Sequence, residues 1–394
     1  MSTLKRAAAN LALAIAGITA ALVLGEFALR LTPLGYTSFF VFDSVRGWAP
    51  KPGAHGIQND EGHAYVSINR WGLRGPDFQL AKPPGVFRIA VLGDSFTAAE
   101  QVPMKQTFCS IMQGALGKCP SFPGRAEVLD FGVGGYGTAQ ELLTLHNQAW
   151  RFHPDFVVLA IFTGNDIQNN SVELEPNKCR PFYVYRNGQL VPGGAFDDSP
   201  RFHAKCAAQF KLGRLQLYQV LRRALSVIRS KRPANEPHRT RFRLGAQIYQ
   251  PPETEALRNA WRVTEGEIEA IHREAAAHHA GFLAVTLSNG IQVNPNLNRR
   301  RRFAYQLGVR DLFYPDHRIA ELGKRDGFSV LNLAPQMAQY ADEHHVFLHG
   351  LPNSKWLPGV GHYNATGHQV AGELIGAKIC AMLSKAGIAP PLQK

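Results

Sequence analysis

"FRIAVLGDSFT", residues Phe87–Thr97, decides how the rest of the chain is read. A short run of Ile, Ala, Val and Leu stops at Gly93, and Asp94-Ser95 follow at once. An apolar run of this length, ended by glycine, reads as a buried strand that turns into a helix. A serine at that turn projects into the crevice at the strand's carboxyl end. Its N–H is exposed near a helix N-terminus, where negative charge is stabilised. The plain alternative is that Ser95 merely caps the helix. Thr97 stands where a G-x-S-x-G elbow has its second glycine, so that elbow is excluded.

Four more runs match the first. "AEVLDF" (Ala126–Phe131), "DFVVLAIF" (Asp155–Phe162), "GFLAVTL" (Gly281–Leu287) and "FSVLNL" (Phe328–Leu333) read as strands. Helical patterns near 106–117, 138–152, 253–279, 315–326 and 365–385 alternate with them. The alternation predicts a parallel sheet covered by helices on both faces. Chemistry then collects at the carboxyl ends of the strands.

The second strand ends in "FGVGGYG" (Phe131–Gly137), which contains Gly132-x-Gly134-x-x-Gly137. That matches the dinucleotide fingerprint, but the fingerprint needs an acidic residue at the end of the next strand. That end carries Thr163-Gly164-Asn165 instead, so no cofactor is expected. The Asn165 side-chain amide suits a developing oxyanion; taken alone, Gly-Asn-Asp is a turn signal. "GVGHYNATGH" (Gly359–His368) places His362 just before the last helix, where a nucleophilic serine would find its base.

Taken in order, "GDSFT", "GVGGYGTAQ", "TGND" and "GHYNATGH" resemble the blocks of the SGNH hydrolase family, also called GDSL esterases. The blocks span residues 86–375. The resemblance implies a flavodoxin-like three-layer α/β/α sandwich with a five-stranded parallel sheet. It implies Ser95 as nucleophile, His362 as general base, and Gly135 and Asn165 as oxyanion donors beside the Ser95 N–H. It implies ester hydrolysis or acyl transfer without a cofactor. One departure is plain. The family's D-x-x-H acid is missing, since Gly359 and Val360 occupy its positions. A backbone carbonyl or a distant carboxylate, such as Asp342 or Glu343, is then expected to orient His362. In the family, residues like Asp94 and Asp166 brace the site.

The N-terminus adds a location. Lys5-Arg6 precede Ala7–Gly25, nineteen residues with only Asn10 and Thr19 polar. That length spans a hydrocarbon core of about 30 Å, and the basic flank keeps the N-terminus cytoplasmic. A cleaved signal is the rival, but Ala14-Ile15-Ala16 leaves too short an apolar region before it. Residues 1–31 therefore read as a bacterial inner-membrane anchor, 32–85 as a lead-in of turns and short strands, and 86–390 as a periplasmic catalytic domain. "GEFALRL" and "INRWGLRG" resemble the flanks of membrane-anchored bacterial members of that family.

An insertion at about 171–250 interrupts the alternation and should lie over the strand ends. Its amphipathic piece has Leu217, Leu221, Leu225 and Ile228 opposite Arg222, Arg223 and Arg229. Packing on the core is expected of it, with a membrane-lying role second.

Net charge is +13 across 394 residues. Nucleic acid is not expected, because no aromatic-rich module accompanies the Arg299–Arg302 run, which reads as a solvated loop, with a patch for anionic glycans or headgroups second. None of the five cysteines forms CxxC, and neither His278-His279 nor His344-His345 has ligand spacing, so no metal site is expected. Cys109–Cys119 and Cys179–Cys206 are candidate disulfides. The partners implied are an acylated carbohydrate or other ester and the membrane. A catalytically weak glycan-binding or assembly component is the rival function, motivated by the absent acid.

Overall fold

The computed structural model describes residues 3–31, 39–59, 61–122, 124–213, 215–230, 245–351 and 358–385. Four short strands come first, β1 (Phe40–Asp43), β2 (Gly47–Pro50), β3 (His55–Gln58) and β4 (Ala64–Ser67), paired as two antiparallel hairpins. The central strands are β5 (Val86–Gly93), β6 (Arg125–Asp130) and β7 (Phe156–Phe162). A third hairpin, β8 (Phe182–Arg186) and β9 (Gln189–Gly193), lies within the insertion. Then β10 (Gly281–Leu287) and β11 (Ser329–Asn332) complete the main sheet.

That sheet has five parallel strands in the order β11-β10-β7-β5-β6. Counting only its own members, the order is 2-1-3-4-5, the flavodoxin arrangement. The reason is visible in β5. Ile89 and Val91 face one apolar cluster with the helices Phe108–Leu116, Leu333–His344 and Ala365–Lys385. Ala90 and Leu92 face the other cluster, with Thr138–Asn147, Glu255–Ala277 and Tyr314–Asp326. A period of two in a strand buried on both faces gives three layers. The predicted fold class is therefore the observed one, with each strand placed to within a residue or two. The topology reverses direction between β5 and β7, and there an open α/β sheet leaves a crevice at its strand ends.

Two expectations need correcting. Residues 299–302 do not form a loop but lie inside the helix Leu297–Leu307. Asn296 accepts the Arg299 N–H at its start, and Gly308 closes it in the left-handed region. The described side chains of the amphipathic piece, Gln216–Ser230, meet the N-terminal helix or solvent rather than the core. Leu217 lies against Gly25 of the N-terminal helix Thr3–Arg30, and Leu221 is 58% exposed. The Glu26 carboxylate accepts the N–H groups of Gln216 and Leu217, each at 3.0 Å, and so caps the second helix from the first. The side chains of Arg222, Arg223, Ile228 and Arg229 lie outside the described residues.

Cysteine pairing also departs from expectation in one half. Cys179–Cys206 forms, but Cys119 pairs with Cys380, 261 residues away, and Cys109 is buried and free. Burial pushes the Cys109 thiol well up, so it is inert. The long-range bond ties the end of one helix to the last helix on the same face of the sheet. Peptide mapping without reduction should join the peptides holding Cys119 and Cys380; a Cys109–Cys119 peptide would overturn the pairing. Cys380→Ser should cost about 2–4 kcal/mol of unfolding free energy, read as a lowered Tm.

Candidate active site

Ser95 stands at the first turn of the short helix Ser95–Ala98, directly after β5. It is not the cap. Asp94 takes that role, its carboxylate accepting the Phe96 N–H at 2.9 Å. The Ser95 hydroxyl is thereby left for something else. Its Oγ sits 2.8 Å from His362 Nε2. Asp94 is fully buried, and burial raises its pKa, against the pull of the Phe96 N–H and the nearby His362. It also accepts an N–H of the Asn165 amide at 3.1 Å. That bond fixes which end of the amide faces inward. Asp166 holds the turn after β7, its carboxylate accepting the Phe162 N–H at 2.8 Å.

The other ring nitrogen of His362 answers the question of the missing acid. Nδ1 lies 2.5 Å from Glu61 Oε2, and Glu61 Oε1 accepts the His362 backbone N–H at 2.9 Å. Glu61 comes from the loop between β3 and β4, 301 positions earlier in the chain. Burial alone would raise its pKa. The hydrogen bond and charge of His362 outweigh that and hold the carboxyl below its usual range. Gly361 makes the approach possible. A Cβ there would lie 2.2 Å from Glu61 Oε1, and its φ of +95° is one only glycine adopts readily. The two carboxylates proposed from sequence are engaged elsewhere: Asp342 pairs with Arg300 at 2.5 Å, and Glu343 accepts from Gln339 at 2.8 Å.

The His362 ring leans on Phe96, centroids 4.8 Å apart. Behind it, buried His349 meets the Gly361 carbonyl through Nδ1 at 2.8 Å and Ser288 Oγ through Nε2 at 3.1 Å. Burial brings the His349 pKa down to about 4, so it is neutral near pH 7 and can donate one N–H to that carbonyl. His368, also singled out with the block, is buried and accepts the Phe108 N–H; burial lowers its pKa to about 3, and it props the last helix.

Gly135 lies in the turn after β6 with φ +78°, which explains glycine there. Its neighbour's carbonyl, Gly134 O, accepts from the Trp48 indole at 3.1 Å. In a planar trans peptide the N–H points opposite to the C=O. The Gly135 N–H is thus turned away from Trp48, and no described group accepts it. Buried Arg180 of the insertion holds the Gly135 carbonyl at 2.8 Å. A Cβ on Gly134 would come within 4.0 Å of the Ser95 Cβ, so this turn lies beside the nucleophile candidate.

Ser95, His362 and Asn165 line one cleft of about 470 Å³. All four residues singled out from sequence are thus found around the same strand ends. Glu61, Trp48 and Arg180 were not foreseen. The one sequence signal for Glu61 was Gly361, directly before His362, where the missing side chain leaves room for a carboxylate from elsewhere. Among the described residues no cluster of His, Cys, Asp or Glu is arranged to hold a metal ion.

The fold is similar to that of solved esterases. An acetyl xylan esterase, AlAXEase, aligns at 11% identity and a TM-score of 0.38, covering 74% of this chain and 100% of that one. A Desulfitobacterium hafniense protein assigned to the G-D-S-L family aligns at 10% and 0.34, covering 74% and 98%. A Ser-to-Ala variant of Axe2, an acetylxylan esterase from Geobacillus stearothermophilus, aligns at 12% and 0.36, covering 74% and 94%. No protein-family model matches the sequence, and no curated protein matches it either.

Proposed function

We propose that the protein is a serine esterase or acyl-transfer enzyme, acting on O-acyl groups of cell-envelope or exported glycans from the outer face of a bacterial inner membrane. The Ser95–His362–Glu61 chain of hydrogen bonds carries this reading. A hydroxyl becomes a nucleophile when a base takes its proton as it attacks, and an ionised carboxylate on the far nitrogen fixes the tautomer and steadies the imidazolium.

The geometry supports the following steps. Ser95 Oγ bonds to the ester carbonyl carbon while its proton passes to His362 Nε2. The carbonyl oxygen becomes an oxyanion, for which the Ser95 N–H, the Gly135 N–H and the Asn165 amide are the donors at hand. The intermediate collapses, the ester C–O bond breaks, and His362 returns the proton to the leaving alcohol. Water or a sugar hydroxyl then attacks the acyl-enzyme, giving its proton to His362; the acyl C–O bond to Ser95 breaks, and His362 returns the proton to Ser95 Oγ. The non-catalytic reading was motivated by the absent acid, and Glu61 removes that motive. The test is turnover of p-nitrophenyl acetate together with covalent labelling by a fluorophosphonate. No turnover above buffer and no label on Ser95 would sink the proposal.

The location rests on the N-terminal helix. It is the one helix among the described residues long and apolar enough to cross a membrane, with mean hydropathy 2.1 over its best window and none of that window buried. Two disulfides fit an oxidising compartment. The capping of Gln216–Ser230 by Glu26 makes the end of that helix part of the fold, which favours an anchor that stays attached. The protein should resist carbonate extraction of membranes, and its intact mass should include the residues before Gly25. A mature form beginning after that point would refute the anchor.

A further inference from the structure

The four arginines at 299–302 lie on one helix, and the helix sorts them. Arg300 and Arg301 face a cavity that also holds Asp311, Asp342 and Glu343, and Arg300 is paired there. Arg299 and Arg302, three residues apart and so on one side of the helix, face a different cavity of about 590 Å³. Among the described residues no acidic side chain lines that second cavity and neither guanidinium has an acidic partner. Its wall shares Tyr249, Ile291, Gly359 and Val360 with the cleft that holds Ser95 and His362. The two spaces therefore meet within a few residues of the candidate base.

We propose that this cavity is a subsite for an anionic group on the alcohol half of the ester, which makes the substrate an acylated acidic glycan. The inference rests on the esterase reading above and narrows its substrate. Three features support it. Its wall carries the polar side chains of Arg299, Arg302, Gln306 and Asn294 beside apolar Ile291 and Val360, a mixture that suits a sugar ring bearing an acidic group. Guanidinium forks match a carboxylate or phosphate with paired N–H groups. Tyr249 lines both spaces and Phe303 lines the second, their ring centroids 5.9 Å apart, which gives the subsite an aromatic wall. The geometry gives the Arg pair two tasks: raising the local concentration of anionic chains, and holding one acidic unit while its neighbour presents an acyl group to Ser95.

The experiment uses the full-length protein in detergent and three acetyl esters: O-acetylated trigalacturonate, O-acetylated xylotriose and p-nitrophenyl acetate. Wild type should prefer the acidic ester over the neutral one by at least tenfold in kcat/KM, and the preference should shrink with added salt. Arg299→Gln/Arg302→Gln should lose that preference through KM while its p-nitrophenyl acetate turnover stays within about twofold of wild type. An unchanged ratio in the double variant, or a wild-type preference for xylotriose, overturns the subsite and leaves the esterase reading intact. A binding measurement separates the two failures. Unacetylated trigalacturonate should bind the Ser95→Ala protein and not the Ser95→Ala/Arg299→Gln/Arg302→Gln protein. Loss of all ester turnover with this binding retained refutes the esterase and keeps the subsite. Competition by glycerol 3-phosphate against trigalacturonate distinguishes a phosphate-bearing chain, which displaces it at comparable concentration, from a uronate chain, which does not.

Discussion

Ser95→Ala should leave p-nitrophenyl acetate turnover lower by roughly 10⁴-fold or more, with no fluorophosphonate label. The size follows from what is removed. In the proposed mechanism the hydroxyl oxygen forms the acyl-enzyme, and nothing beside it replaces that bond. What remains is a cleft with the proposed oxyanion donors, which would still polarise a bound ester for attack by water. The fold should be untouched, because Asp94 and not Ser95 caps the helix, and the lost hydroxyl bonds are to His362 and, at 3.5 Å, to the edge of Asp94. Thermal unfolding of the variant should therefore stay within a few degrees of wild type. His362→Ala should lose on the order of a hundredfold or more, the scale of general-base catalysis. A Ser95→Ala protein that keeps a tenth of wild-type turnover would mean that a different group carries the chemistry.

The parts of this molecule that announce themselves in the sequence are local. A strand followed at once by its candidate residue is contiguous, so Ser95, Gly135 and Asn165 could each be placed at the end of a named strand. The same locality gave the sheet, since five apolar runs with helices between them admit few topologies. What could not be read depends on chain segments far apart. Glu61 sits in a hairpin loop that has no periodicity, and only folding brings it to His362. The Cys119–Cys380 pairing closes a span of 261 residues, which spacing rules do not reach. The Arg299–Arg302 helix failed for another reason. Its apolar stripe is thin, so periodicity was silent, although Asn296 and Gly308 marked both of its ends. The Gln216–Ser230 helix has a clear apolar face, but a pattern states only that a face must be covered. Its contact with the N-terminal helix had to come from the structure.

Glu61→Gln should lower kcat by about 10³–10⁴-fold at neutral pH with little change in KM. The substitution conserves volume and leaves an oxygen to accept the His362 backbone N–H, so the loop keeps its place. The amide's other end carries hydrogens and no acceptor. Facing Nδ1, it donates, and the ring's proton is driven to Nε2. That nitrogen then points a hydrogen at Ser95 Oγ, where a lone pair is needed. Glu61→Ala should be less harmful than Glu61→Gln, because water can enter and accept from Nδ1–H, leaving the correct tautomer without its charge. Glu61→Asp should fall between wild type and Ala, its shorter stem reaching one of the two His362 nitrogens that Glu61 now holds. This order, Glu above Asp above Ala above Gln, is one that a merely structural residue would not produce, since Gln is the best steric match and would then do least harm. As a contrast, Asp342→Asn should stay within about twofold of wild type, because its carboxylate serves Arg300. Stopped-flow turnover across the series, with unfolding temperatures measured alongside, decides it. A Glu61→Gln enzyme within tenfold of wild type would show that His362 takes its orientation from the Gly361 turn and Phe96 alone.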